Sequence, residues 1–240
     1  MSQARDPYPS VFHTDRLELS FAPKPWKFAE ERKAEIAAYF AELQRRKPSI
    51  WNGRVLLLHS REHVDGVFRG AYFETDFASF SAWRDWGRPP ADAYDCTGAA
   101  AIVAADGAVL LGVMALHTFN AGQIYFPCGT PDPSDIAGSK VDLAFSIRRE
   151  LAEETGLDAA EFTTIPGWTT IVDGPLIMQI KTLRSKQSAE ALGARILARL
   201  AREEQPELSG IRIVRGPPDY DPAMPCFVRA YLDRHFGLPE

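Results

Sequence analysis

The sequence predicts an α/β domain in which strands and helices pack as layers around one core. Three observations carry this. Two apolar runs, 99–105 (AAAIVAA) and 108–116 (AVLLGVMAL), flank Asp106-Gly107, a dipeptide suited to the positive φ angles of a tight hairpin turn. An amphipathic helix is expected over 142–155, with Asp142 as its N-cap and Gly156 supplying the left-handed residue after its end. Strand and helix patterns then alternate to the C-terminus: strands at 168–172 and 176–180 around Asp173-Gly174, a helix at 188–204, a strand at 211–214 and a helix at 227–236.

Before this region, 26–44 (WKFAEERKAEIAAYFAELQ) reads as one amphipathic helix, with Phe28, Ile36, Tyr39, Phe40 and Leu43 on its apolar side and Pro48 beyond its end. A strand is expected at 54–60 after the Asn52-Gly53 turn, and 64–80 mixes turn signals with dense aromatics. Residues 123–126 form a further short strand. Pro89-Pro90 is the best boundary, dividing the chain into an N-terminal α+β extension (1–95) and a second unit (96–240).

The chain has 240 residues, 45% hydrophobic and 25% charged, which suits one elaborated domain with a sizeable core and excludes a disordered chain. Its net charge is -5, against dependence on non-specific phosphate attraction, so nucleic acid is not the expected partner. The N-terminus lacks the apolar run of a signal peptide and no stretch is long enough for a membrane span, so a cytoplasmic protein without a membrane partner is expected. Cys96, Cys128 and Cys226 form no CxxC pair and predict reduced thiols without zinc. A homodimer is the oligomeric state kept open.

Residues 149–157, RELAEETGL, carry the chemistry. Glu150, Glu153 and Glu154 at i, i+3 and i+4 share one helical face, while Ala144, Ile147 and Leu151 face a core. Three carboxylates this close repel one another, and hard oxygen ligands of this kind suit Mg²⁺ or Mn²⁺. Clustered glutamates are more often a solvated face. The complete spacing outweighs that reading: R-E-(aliphatic)-x-E-E-x-G-(aliphatic) arises by chance in a chain of this length with a probability on the order of 10⁻⁵.

These residues resemble the second half of the Nudix box, G-x5-E-x7-R-E-U-x-E-E-x-G-U with U aliphatic. Tyr125-Phe126-Pro127-Cys128-Gly129 resembles its aromatic-Pro-Gly-Gly opening, with Cys128 in place of the first Gly. The resemblance covers 96–240 and implies a Nudix-type α/β/α sandwich with a mixed sheet. It also implies a Mg²⁺-dependent pyrophosphohydrolase of a small-molecule nucleoside diphosphate derivative, in which Glu150, Glu153 and Glu154 hold the metal and Arg149 pairs with a carboxylate. Two departures stand out. Gly129 and Arg149 are 20 positions apart where the pattern has 14, and Val141 stands where it has Glu. Asp132 or Asp135 from the extended loop can supply the missing acid. The general base is open between Glu153, Glu203, Glu204 and Asp173.

The aromatic stretch 72–87 has two readings, a stacking platform for a base, with Trp83, Trp86 and Arg84 or Arg88 contacting substrate, or packing onto the core. Core packing is the commoner fate. The extension, this stretch and the altered box are similar to the UDP-glucose and UDP-galactose pyrophosphatase branch of the Nudix hydrolases, which implies a nucleotide sugar. The alternative is a non-catalytic Nudix-fold sensor of nucleotide sugar or ADP-ribose. His59, His63 and His117 accompany no nucleophile elbow. The acids concentrate around the box: residues 1–95 carry 14 basic and 14 acidic side chains, whereas 129–161 alone hold eight acids against three bases.

Overall fold

A computed structural model of the chain describes residues 9–238. The N-terminal part runs through β1 (Ser10–Thr14), β2 (Arg16–Phe21), α1 (Lys27–Glu31), α2 (Lys33–Arg46), β3 (Arg54–Val64), β4 (Val67–Asp76) and α3 (Phe77–Asp85). The helix expected over 26–44 is broken at Arg32, whose φ of -109° and ψ of 19° separate α1 from α2. Phe28 lies eight residues before Ile36, about 80° off the apolar stripe of a continuous helix, and the break brings Phe28 into the same core as Ile36, Phe40 and Leu43. Helix α3 was hidden within the aromatic stretch. Asp76 caps it, accepting the Ser79 N–H at 2.8 Å.

The chain continues through β5 (Asp95–Val103), β6 (Val109–Met114), β7 (Ile124–Tyr125), β8 (Cys128–Gly129), β9 (Ile136–Ala137), β10 (Lys140–Val141) and α4 (Leu143–Thr155). The β5–β6 hairpin forms where expected, but only Gly107 of the Asp-Gly pair takes a positive φ, +83°. A Gly107 N–H to Ala104 carbonyl bond of 3.0 Å makes this a longer loop around an ordinary four-residue turn. Helix α4 begins and ends as its sequence dictates. Asp142 accepts the Phe145 N–H at 2.9 Å, and Gly156 takes φ +69°, a left-handed conformation that costs glycine little. The last elements are β11 (Thr163–Thr164), β12 (Trp168–Asp173), β13 (Leu176–Arg184), α5 (Ala189–Leu200), β14 (Leu208–Val214) and α6 (Cys226–His235).

The larger sheet has the order β1-β12-β13-β5-β6-β14, with β7, β8 and β11 attached; β13 and β5 are parallel and the other neighbours antiparallel, so the sheet is mixed. Its register shows where the helices lie. Gly98 is opposite Gln179 and meets Ile147 of α4, while Thr182 is opposite Ala101 and bonds Tyr231 of α6 at 2.8 Å. Residues 179 and 182 point to opposite faces of a strand, so α4 and α6 sandwich the sheet. Helix α5 joins α4's side, where Arg199 lies against Gly156. The expected α/β/α layering is therefore present.

The second sheet, β3-β4-β2-β10-β9, combines three strands from before residue 95 with two from the loop that precedes α4. Strand β1 crosses to the larger sheet, pairing with β12 from Ser10–Val172 to Thr14–Trp168. Leu19, Leu56, Leu58, Phe68 and Tyr72 share the main core, and a second core centred on Trp26, Phe73 and Trp83 lies between α2, α3 and the second sheet. Among the described residues no helix is long and apolar enough to cross a membrane, and Cys96, Cys128 and Cys226 are free thiols.

Candidate active site

Helix α4 divides its side chains by position. Leu143, Ile147 and Leu151, four residues apart, face the main core. Glu150 and Glu154, also four apart, line a cleft and are buried with relative exposures of 9% and 4%. Glu153 does not join them. Its side chain is 60% exposed and leans on Arg149 at 3.4 Å, because a residue three positions after Glu150 and one before Glu154 lies off the line connecting them. The expected three-carboxylate face is thus a buried pair and a solvent-facing third member. Among the described residues no group of three or more His, Cys, Asp or Glu is placed to hold a metal ion.

Strand β8 comes up against the pair. A Cβ on Gly129 would fall 2.3 Å from Oε1 of Glu150, so only glycine lets the backbone approach this carboxylate. The Cys128 backbone N–H favours the charged form of Glu154, yet Glu154 Oε2 is buried and has no hydrogen-bond partner among the described residues. Burial, partly offset by the charge of Arg149, pushes Glu150 up to about 7; burial and then the neighbouring Glu150 and Glu207 charges hold Glu154 well above the usual carboxylate range. Two buried acids on one helical turn disfavour each other's ionisation, and a cation between them and a ligand would reverse that.

Arg149 lies behind the pair as a hub. Its guanidinium is 2.7 Å from Glu150, 3.2 Å from Asp135, 3.4 Å from Glu153 and 3.5 Å from Asp132. The six-residue extension of the box loop explains Asp135. Asp132 and Asp135 form a reciprocal capping box over the 3₁₀ turn Pro133–Asp135, and β9 and β10 then fold back onto β2. This carries the Asp135 carboxylate, fully buried, beneath Arg149. Val141, where the family pattern has Glu, is a buried apolar residue paired with Ile136.

The cleft consists of two adjoining cavities. The first, about 510 Å³, contains Glu150, Glu154 and Gly129 together with Arg84, Phe119 and Glu207. The second, about 440 Å³, contains Arg88, Asp95, Thr97, Asp173 and Cys226. Arg84, Asn120, Tyr125 and Gly129 line both. Each volume falls within the range of small-molecule sites. Of the residues expected at the site, Glu150, Glu154, Gly129 and Arg84 line the cleft and Arg149 braces it. Trp83 and Trp86 do not line it. Trp83 is 1% exposed and donates to the Pro89 carbonyl, and Trp86 packs edge-on against Phe28 and Tyr39 in the second core. Neither ring offers the cleft a face for stacking.

The acids considered as general base separate as well. Glu203 is paired with Arg199 at 2.7 Å, Glu204 is exposed away from both cavities, and Asp173 accepts from the Cys226 thiol at 3.1 Å in the second cavity. Glu207, just before β14, lines the first cavity and forms no ion pair among the described residues. No local motif marks it, nor Phe119, over which Arg84 stacks at 3.6 Å. Phe119 lies between β6 and β7 and Glu207 between α5 and β14, in connections where periodicity carries no signal.

No family model and no curated protein matches the chain. Solved structures to which it is similar include DR0079 from Deinococcus radiodurans, 15% identical over 67% of this chain and 82% of that one with a TM-score of 0.41. They also include the C-terminal domain of mouse MUTYH, solved with human PCNA, at 18% identity over 60% of this chain and 92% of that one, TM-score 0.35. The Nudix superfamily, whose box Gly129 and Arg149–Leu157 resemble, is represented among them by a Nudix hydrolase from M. smegmatis, RenU, 15% identical over 60% of this chain and 86% of that one, TM-score 0.34.

Proposed function

We propose that the protein is a divalent-cation-dependent phosphoanhydride hydrolase of the Nudix type. Its substrate is a nucleoside diphosphate linked to a second moiety, with a nucleotide sugar as first choice. One observation carries the reading: Glu150 and Glu154 lie together, buried and one turn apart, on a cleft wall where Glu154 Oε2 has no hydrogen-bond partner among the described residues. Arg149 offsets the charge of Glu150 only in part, buried like charges are unfavourable, and hard carboxylate oxygens at a cavity wall fit Mg²⁺ or Mn²⁺. Two protein carboxylates suffice, because Mg²⁺ keeps several waters and commonly takes its remaining ligands from substrate phosphates. When bound, the cation would neutralise the charge developing on the phosphoanhydride oxygens.

The protein's own residues divide the remaining work. Glu150 and Glu154 hold the cation, Arg149 fixes the rotamer of Glu150, Asp135 and Asp132 fix Arg149, and Gly129 leaves room for the carboxylate. We assign the proton acceptor for the attacking water to Glu207, a first-cavity acid outside the ion pairs of Arg149.

The test is a panel of UDP-sugars, ADP-ribose, NADH, CoA and dinucleoside polyphosphates with Mg²⁺, reading phosphate after coupled phosphatase treatment. Turnover of one class that disappears in Glu154→Gln supports the reading; unchanged turnover in that variant overturns it. A second reading, a nucleotide-sugar or ADP-ribose sensor, is favoured by Glu153 facing solvent and by Val141 in the place of Glu. Tight binding by calorimetry with no turnover in Mg²⁺ or Mn²⁺ selects it.

A further inference from the structure

The second cavity is built differently from the first. Arg88 lines it two residues beyond the C-cap of α3, in a left-handed backbone conformation with φ +51° that a non-glycine residue adopts only at some cost. That conformation is held in place. The Arg88 N–H donates to the Trp83 carbonyl at 2.8 Å, closing the end of α3, and its Nη2 is 2.8 Å from Oδ2 of Asp95, whose side chain is 7% exposed. Thr97 Oγ1 donates to the other Asp95 oxygen at 3.4 Å. The Arg88 Nε is buried with no hydrogen-bond partner among the described residues.

Arg84, one helical turn earlier, lines both cavities and is braced by Asn120 at 2.8 Å and by the Phe119 ring at 3.6 Å. Its other partner, Asp85, is exposed at 3.3 Å. Two guanidinium groups therefore share the wall of the second cavity, whose other charged residues are Asp95 and Asp173. Strain, a buried counter-ion and an unused donor at one residue are the marks of a side chain pre-positioned for a ligand.

We infer that Arg84 and Arg88 together form a seat for phosphoryl oxygens, with Asp95 the positioning residue that holds Arg88 in place. Planar guanidinium forks match phosphate oxygens, and both arginines line the second cavity, which shares Gly129 with the first but not the carboxylate pair. A diphosphate would then be held at both ends, by Glu150 and Glu154 through the cation and by the arginines directly, placing the second moiety in the cavity of Asp95, Thr97 and Asp173. That last assignment rests on the function proposed above. Binding of an anion by the arginines does not.

The experiment separates the two. Titration calorimetry of the full chain with inorganic pyrophosphate, and separately with inorganic phosphate, is performed in chelator without divalent metal. Binding of either anion to the wild type that weakens about tenfold or more in Arg84→Gln and in Arg88→Gln, but not in Glu154→Gln, supports the seat. Tighter pyrophosphate assigns it to the intact diphosphate, and tighter phosphate to the released product. Asp95→Asn should weaken binding as Arg88→Gln does, at temperatures well below its melting point, and Arg88→Lys should rescue only partly because it lacks the fork. Equal affinity in the wild type and both arginine variants, or no binding to the wild type, overturns the inference even if a substrate is hydrolysed. Loss of all turnover with anion binding intact overturns only the proposed hydrolysis.

Discussion

Arg149 reaches back fourteen residues to Asp135, its Nη2 lying 3.3 Å and 3.2 Å from the two carboxylate oxygens. The pair locks the box loop to α4, and the same guanidinium holds Glu150 at 2.7 Å. Asp135 is fully buried, and burial raises its pKa even though the Asp132 N–H and Arg149 both favour its charged form. Asp135→Asn should cost about 2–3 kcal/mol, below the usual penalty for breaking a buried pair because Arg149 keeps Asp132, Glu150 and some water. Turnover should fall with it, since Glu150 loses its brace. Thermal unfolding and kcat check this, and a wild-type melting point with a wild-type rate would show that the lock has no consequence.

Gly129→Ala tests the approach of β8 to the carboxylate pair. Gly129 does not occupy the left-handed region, so alanine adds no backbone strain and acts only through its methyl group. That methyl would overlap Glu150, the nearest contact being 2.3 Å. The carboxylate must swing away, and the expected result is a raised metal requirement and a fall in kcat of tenfold or more with the fold retained. Metal titration of the rate reads this directly. Wild-type kinetics would mean that the observed position of Glu150 is immaterial.

The metal-free protein should lose stability as pH rises. Glu150 has a folded-state pKa raised from 4.5 to about 7, so the folded state binds more protons between these values. The stabilisation is present below pH 4.5 and is lost as pH climbs through about 7, amounting to about 3 kcal/mol by linkage. In chelator, Glu150→Gln and the wild type should therefore melt together near pH 4.5 and diverge by pH 8, with the variant more stable. Mg²⁺ should restore the wild type at pH 8 and leave the variant unchanged. Parallel melting curves across this range would remove the argument that the pair awaits a cation.

What was legible in the sequence was local. The cap at Asp142, the left-handed Gly156 and the apolar stripe Leu143–Ile147–Leu151 all lie within one helix, so α4 and its carboxylates could be placed from spacing alone. The division between Glu153 and its neighbours could not, because it depends on the direction from which β8 approaches. Strand β1 gave no signal, since its partner β12 is more than 150 residues away and the Thr14–Thr170 hydroxyl contact of 2.7 Å exists only once the chain has folded. Asp135 was a candidate without a position for the same reason: the loop that returns it to Arg149 is fixed by pairing with β2, far earlier in the chain.

Trp83 lies in the aromatic stretch whose rings are candidates for stacking and Phe119 lies outside it, yet Phe119 and not Trp83 lines the cleft. Trp83 is sealed in the second core, its ring 5.8 Å from that of Trp26 and its Nε1 donating to Pro89 at 2.9 Å, so Trp83→Phe loses a hydrogen bond and some volume. About 2 kcal/mol of stability should be lost with KM unchanged. Phe119 is only partly buried and lies beneath Arg84, so Phe119→Ala should change stability little and raise KM severalfold as Arg84 loses its support. Measuring melting temperature and KM on both variants distinguishes the roles. If Trp83→Phe raised KM while Phe119→Ala left it alone, the stacking surface would lie with the tryptophan after all, and the cleft described by Arg84, Gly129 and the glutamates would not be where the substrate binds.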